Sequence, residues 1–154
     1  MAPRVGIGYD SHRLVAGGRL VLGGVEIEHD RGLTGHSDAD VLTHAVIDAL
    51  LGACDLGDLG ELFPDTEEQW RDADSIDLLR VVIGRLSGAV TNVDATVICE
   101  EPKLAPYKAE MSSRLSEVLS APVRVKASTN EGMGAIGRGE GIACIAVALV
   151  DSGA

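Results

Sequence analysis

Apolar and polar positions change period several times along this chain, and the changes divide it into strands and helices. Residues 4–9 (RVGIGY) alternate apolar with small, the period of a short strand. Residues 19–28 (RLVLGGVEIE) hold two β-like runs about Gly23-Gly24, which predict a hairpin or a bulged strand. From Asp38 the period becomes helical. Val41, Leu42, Ala45, Val46, Ala49, Leu50 and Ala53 form one apolar stripe, with Ser37 or Asp38 as N-cap. A second amphipathic helix fits Ser75 to Leu86, capped by Ser75, with Ile76, Leu79, Val82, Ile83 and Leu86 inward. A third opens near Pro106, which suits a first helical turn, and runs to about Leu119, burying Met111, Leu115 and Val118. Strands are predicted at 90–100 (VTNVDATVICE), 123–128 (VRVKAS) and 141–150 (GIACIAVALV). The last is apolar throughout and therefore central in its sheet.

Strands alternating with helices, without linker or repeat, predict an α/β (α+β) fold in one domain spanning 1–154. Two loops stand out: the acidic, glycine-containing 55–74, and 129–141, which holds five glycines. Aromatic residues make up 3% of the chain, so the core must be aliphatic and little is left for stacking single-stranded nucleic acid. The net charge of −11, without any run of Lys or Arg, argues against nucleic acid and acidic membranes as partners. An anionic substrate would need a metal cation, or a few converging basic groups, to neutralise it locally. Cys54, Cys99 and Cys144 each stand alone in apolar runs and read as core residues of a reducing cytoplasm. The opening MAPRVGIGYD carries no apolar run of signal-peptide length, and no segment is long enough to span a membrane.

Chemistry concentrates in GYDSHR and GHSDADVLTH. On an extended chain Asp10 and His12 point to one face, and His36 and His44 bracket the start of the first helix. A carboxylate and two imidazoles suit zinc with a position left open. The spacing does not choose between His36 and His44 as the third ligand. It also fits a plainer arrangement, with His12 in solvent, Asp10 capping a turn and His44 contacting Asp40 or Asp48. His36-Ser37-Asp38 has two readings as well. Ser37 can cap the helix in a box with Asp40, or the unpaired N–H groups there can attract phosphate with His36 and Ser37 as added donors. Gly132-x-Gly134-x-x-Gly137 matches a dinucleotide fingerprint on spacing alone; no helical pattern follows it, which excludes that reading. Glu131, Arg138 and Glu140 then read as functional groups on a turned loop, or as surface charges of a long hairpin.

Together GYDSHRL, GLTGHSDADVLTHAVIDALLGA, GDLGELFPDT, EEPKLAP and VKASTNEGMGAIGRGEGIA resemble the 2-C-methyl-D-erythritol 2,4-cyclodiphosphate synthases of non-mevalonate isoprenoid synthesis. The matching stretches run from position 6 to 143 in the family's order. This resemblance selects His44: it implies Zn²⁺ at Asp10, His12 and His44, phosphate contacts from His36 and Ser37, and Mg²⁺ or Mn²⁺ at Glu131. It implies a cytidine-diphosphate pocket from Pro102, Lys103, Leu104, Ala127, Ser128 and Thr129. Asp58 and Asp65 would contact the methylerythritol portion from the neighbouring subunit, and Gly60 and Arg138 the substrate. The implied assembly is a homotrimer with sites between subunits, each subunit a mixed β-sheet with helices on one face and the sheets facing a threefold axis. Two positions depart from the family. Ala135 stands where an aromatic is common, in the loop of the axial cavity, and Asn130 replaces a hydroxyl residue. Neither is a metal ligand.

The implied reaction is intramolecular: the 2-phosphate of 4-diphosphocytidyl-2-C-methyl-D-erythritol 2-phosphate attacks the β-phosphorus and expels CMP. A phosphate oxygen is already anionic, so no serine or cysteine nucleophile is required, and the protein's part is positioning and charge neutralisation. Two other classes use the same residues: a noncatalytic trimeric sensor of nucleotides or isoprenoid phosphates with a structural zinc, and a zinc phosphohydrolase.

Overall fold

The structure, a computed structural model, describes residues 2–152. Strand β1 (Ala2–Ala16) pairs along most of its length with β7 (Gly141–Ser152) and at its end with β4 (Arg31–Thr34), both antiparallel. Strand β5 (Gly88–Ile98) lies antiparallel on the other side of β7, and β6 (Val123–Ser128) runs parallel beyond it. The order β4-β1-β7-β5-β6 makes β7 central, as its unbroken apolar sequence predicts. The mixed sheet has one face covered by helices, in agreement with the α+β expectation.

Helix α1 (Val41–Ala53) lies across the sheet and is buried almost all round, since α3 (Ser75–Ile83) covers its far side. Helix α4 (Lys108–Leu119) covers β6, with Met111, Leu115 and Leu119 inward; a single 3₁₀ turn, Ala105–Tyr107, precedes it. The β2–β3 hairpin (Leu20–Leu22, Val25–Ile27) turns through Gly23 and Gly24, both at positive φ, as a two-residue hairpin loop requires.

Several boundaries differ from the sequence reading, each for a local reason. Strand β1 continues past Tyr9 because β7 and then β4 supply partners out to Ala16, so Asp10 and His12 sit inside the sheet. The cap of α1 is Asp40, in place of Ser37 or Asp38. Its carboxylate accepts from the Thr43 amide at 2.9 Å and also from the Gly23 and Gly24 amides at 2.9 and 2.8 Å. One buried side chain thereby closes the helix and pins the hairpin to it. Helix α3 is capped by Asp74, which accepts from Ile76 N, in place of Ser75, and it stops at Ile83 with Gly84 following. Loop 55–74 contains a one-turn helix α2 (Leu59–Leu62), capped by Asp58, and a 3₁₀ turn at Glu68–Trp70. A further single turn, α5 (Gly134–Gly137), lies in the glycine-rich loop. Cys99 and Cys144 are buried, Cys54 is half-buried, and all three are free thiols.

Candidate functional site

Even-numbered residues of β1 face α1, so Gly6, Gly8, Asp10 and His12 form one row beneath the helix. The two glycines let the helix lie directly on the strand, and His44, on the first turn of α1, reaches Asp10. His44 Nδ1 and His12 Nε2 lie 3.0 and 3.1 Å from the same oxygen, Asp10 Oδ2. The three groups can each offer one ligand atom within 4.8 Å of the others.

The remaining ring nitrogens have partners of their own, which fixes where the protons go. His12 Nδ1 lies 3.0 Å from the Thr34 carbonyl, which can only accept, so we assign the proton to Nδ1. His44 Nε2 lies 2.7 Å from Ser75 Oγ and 3.0 Å from Ser37 Oγ. The Ser75 hydroxyl donates to Asp38 Oδ1 and therefore accepts from His44 Nε2–H. Neutral rings then aim two nitrogen lone pairs at a carboxylate oxygen, which is favourable only with a cation among them. The donor set fits a divalent metal ion: two imidazoles with their second nitrogens already held, and one carboxylate. Protons serve the same end where no metal is bound. Burial opposes ionisation of Asp10, but its hydrogen bonds with His12 and His44 prevail and hold its carboxyl below the usual range. Burial also opposes charge on His44, yet the adjacent Asp10 raises the imidazole pKa above its ordinary value.

The cluster opens into a cavity of about 470 Å³ whose wall includes His36, Ser37, Gly60 and Asp65. Of the other predicted residues, exposed Asp58 caps α2 with one oxygen, Oδ1, which accepts from Glu61 N at 2.9 Å. Pro102, Lys103, Leu104, Ala127, Ser128 and Thr129 line a separate cavity of about 180 Å³, together with Cys99. Burial pushes the Cys99 thiol up to about 11, so it is no nucleophile near neutrality. Arg138 is paired with Glu140 at 2.7 Å and faces a third cavity with Arg31, Glu100 and Glu101. Glu131 is exposed, in the left-handed region at φ 53°, with its amide donating to Thr129 Oγ1. Within one chain, then, the first group is assembled, while the 102–104 and 127–129 residues and Arg138 line separate cavities.

The YgbB family model matches residues 3–151. The chain belongs to the YgbB family. It is 57% identical to the 2-C-methyl-D-erythritol 2,4-cyclodiphosphate synthase of Salinibacter ruber, over 97% of this chain and 99% of that one. Among solved structures it is similar to the bifunctional IspDF of Campylobacter jejuni, at 39% identity and a TM-score of 0.92, covering 97% of this chain; it spans 42% of that longer protein. It is also similar to a 2C-methyl-D-erythritol-2,4-cyclodiphosphate synthase in a form described as CDP-bound, at 35% identity and a TM-score of 0.87, over 96% of this chain and 100% of the other.

The sequence reading missed part of this YgbB-family site. Leu59, Phe63, Trp70 and Leu78 give the cavity an apolar wall, and the Phe63 and Trp70 rings meet edge to face at 4.8 Å between centroids. The chain has one Phe and one Trp, and both lie in a loop that is otherwise acidic. That oddity was the available signal. His36 Nε2 lies 3.1 Å from the Glu67 carbonyl, which ties this loop to the turn before α1. Asn130, one of the two departures, braces the glycine-rich loop: its amide donates to Glu100 and its side chain to the Met133 carbonyl.

Proposed function

We infer that this chain is a 2-C-methyl-D-erythritol 2,4-cyclodiphosphate synthase, converting 4-diphosphocytidyl-2-C-methyl-D-erythritol 2-phosphate to the cyclodiphosphate with release of CMP. The whole chain, 1–154, is read as one synthase domain. The observation that carries this reading is the Asp10–His12–His44 cluster, with its lone pairs converging at the mouth of a cavity next to the 36–38 turn.

In this reading His36 and Ser37 hold phosphate oxygens at the start of α1, while Gly60, Asp65 and Asp58 take the methylerythritol hydroxyls. Pro102, Lys103 and Leu104, with Ala127 to Thr129, hold the cytidine diphosphate, and Arg138 adds positive charge. The 2-phosphate oxygen forms a bond to the β-phosphorus. The bond from that phosphorus to the oxygen leaving with CMP breaks, and the electron pair goes with CMP. No protein nucleophile takes part, and the chain's work is to hold two mutually repelling phosphates in line. Zn²⁺ held by Asp10, His12 and His44, and Mg²⁺ or Mn²⁺ held with Glu131, would supply Lewis-acid polarisation and charge neutralisation. This resolves the conflict between a polyanionic substrate and a chain of net charge −11.

We propose that the working form is a cytoplasmic homotrimer with its sites between subunits. Val5, Ile7 and Tyr9 are 68, 69 and 58% exposed, and Ile145 and Val147 of the neighbouring strand extend the same apolar face. That face is the side of the sheet without helices. A stripe of this kind favours burial against other copies. Among the described residues no helix is long and apolar enough to cross a membrane.

Incubation with the cytidyl substrate and Mg²⁺ tests the activity. Cyclodiphosphate and CMP in equal amounts are expected. A linear hydrolysis product would identify a phosphohydrolase instead, and tight binding without turnover a sensor.

A further inference from the structure

Ser75 is completely buried at the first position of α3, and nothing in the helix requires its hydroxyl. Asp74 caps the helix by accepting from Ile76 N at 2.9 Å, and the Ser75 amide is satisfied by Asp38 Oδ2, also at 2.9 Å. The hydroxyl is spent elsewhere. It donates to Asp38 Oδ1 and lies 2.7 Å from His44 Nε2. A hydroxyl has one proton, and an ionised carboxylate can only accept, so that proton is committed to Asp38. What Ser75 presents to His44 is a lone pair.

We infer that Ser75 is a positioning residue that, anchored by Asp38, fixes His44 as the Nε2–H tautomer and so keeps the Nδ1 lone pair aimed at the cation seat beside Asp10 and His12. This rests on the reading of those three residues as a metal centre and adds a determinant outside it. The second hydroxyl near His44 Nε2 cannot replace it. Among the described residues Ser37 Oγ, at 3.0 Å, has no other acceptor to commit its proton, so it can donate to that nitrogen as readily as accept from it. Without Ser75 the ring is free to adopt the Nδ1–H tautomer, which blocks the metal-binding nitrogen with a proton. Chain topology explains why the relay crosses elements. Asp38 precedes α1 and Ser75 opens α3, so packing of α3 on α1 is what places the acceptor behind His44.

The test uses the full chain labelled with ¹⁵N-histidine and loaded with zinc. In the wild type the His44 signals should report a proton on Nε2 and none on Nδ1. Ser75→Ala should let that Nε2 proton exchange faster with water and give a zinc dissociation constant, measured by chelator competition, raised about ten- to a hundredfold, the usual cost of losing a group that orients a metal-binding histidine. Ser75→Thr, which keeps the hydroxyl, should recover most of that affinity. A thermal melt of each variant reports whether the fold is retained. A protonated Nδ1 in the wild type overturns the inference, and that spectrum decides even if Ser75→Ala fails to fold. Unchanged zinc affinity in a folded Ser75→Ala protein also overturns it. Absence of zinc binding by the wild type is a different failure: it overturns the metal centre itself, and this inference with it.

Discussion

Gly8 and Ala45 approach so closely that a Cβ on Gly8 would fall 1.9 Å from the Ala45 carbonyl oxygen. Gly6 stands in the same relation to Ala49, one helical turn along, at 1.8 Å. Strand β1 and helix α1 are therefore in backbone contact, and this contact sets the 3.0 Å separation of Asp10 and His44. The obstacle is backbone and has no rotamer by which to move aside. Gly8→Ala should cost about 3 kcal/mol, at the upper end of ordinary overpacking, and lower Tm by roughly 6–12 °C. Metal content should fall with it, because the two ligands are driven apart. An unchanged melting temperature would show that α1 can lift off the strand without penalty.

The two histidines that bracket the start of α1 should behave differently. His44→Ala removes one of three converging ligand atoms, so zinc affinity and turnover should fall together. His36 does not belong to that cluster; its Nε2 is engaged by the Glu67 carbonyl. His36→Ala should keep its zinc and lose about ten- to a hundredfold in turnover, the value of one charge-assisted hydrogen bond of roughly 1.5–3 kcal/mol to phosphate. Metal analysis of the two purified variants decides the matter. Zinc lost from the His36 variant and kept in the His44 variant would reverse the assignment.

What could be read in the sequence followed from periodicity. The stripe from Val41 to Ala53, the run at 123–128 and the apolar strand at 141–150 each came with a partner-independent pattern, and their type and place agree with the structure. The misreadings lie where a short polar side chain had several candidate partners. Ser37, Asp38 and Ser75 are all competent N-caps, and local sequence offers no reason to prefer Asp40 and Asp74. Only the hairpin turn at Gly23-Gly24, brought in from 16 and 17 residues away, makes Asp40 the better cap. The two serines are thereby released to His44. In the same way, the convergence of Asp10, His12 and His44 depends on how α1 lies on β1. Spacing could nominate these residues, but it could not choose between His36 and His44; family resemblance made that choice.

Metal removal should reverse the pH dependence of stability at this site. In the metal-free chain the pKa of His44 is raised, chiefly against the opposing effect of burial, by Asp10; that of Asp10 is lowered by the two histidines. The His44 contribution is fully present below its unfolded value near 6.5 and is lost as pH rises through the higher folded value. The Asp10 contribution is present above its unfolded value of 3.8 and is lost as pH falls through the lower folded one. Chelated protein should therefore gain most from this pair between about pH 4 and 6.5 and lose that gain as pH rises above this range. Zinc-loaded protein should run the other way, because protons compete with metal for the same nitrogens. Melting curves with and without chelator from pH 5 to 8.5 should diverge as pH rises. Parallel curves would mean that zinc binds elsewhere.

Assembly can be tested at a residue that points away from the site. Ile7 lies on the opposite face of β1 from Asp10, is 69% exposed, and is flanked by Val5, Tyr9 and, across the ladder, Val147. Asp10 aligns through Cys144 and Val97 with Ala127 of β6, so the cation cluster and the proposed cytidine pocket lie three strand spacings apart, about 14 Å, in one chain. Their cavities are separate, and neither alone offers every group that the reaction calls for. A neighbouring copy can bring the missing half closer. Ile7→Glu would place three like charges in the apolar contact of a threefold assembly, where burial of an unpaired carboxylate is strongly unfavourable. Sedimentation should then give a trimer for the wild type and a folded monomer for the variant. Zinc should still bind, since Asp10, His12 and His44 come from one chain. Turnover should drop at least about a hundredfold, the loss expected when reacting groups are no longer held in register. A fully active Ile7→Glu monomer would show that each chain contains a complete site.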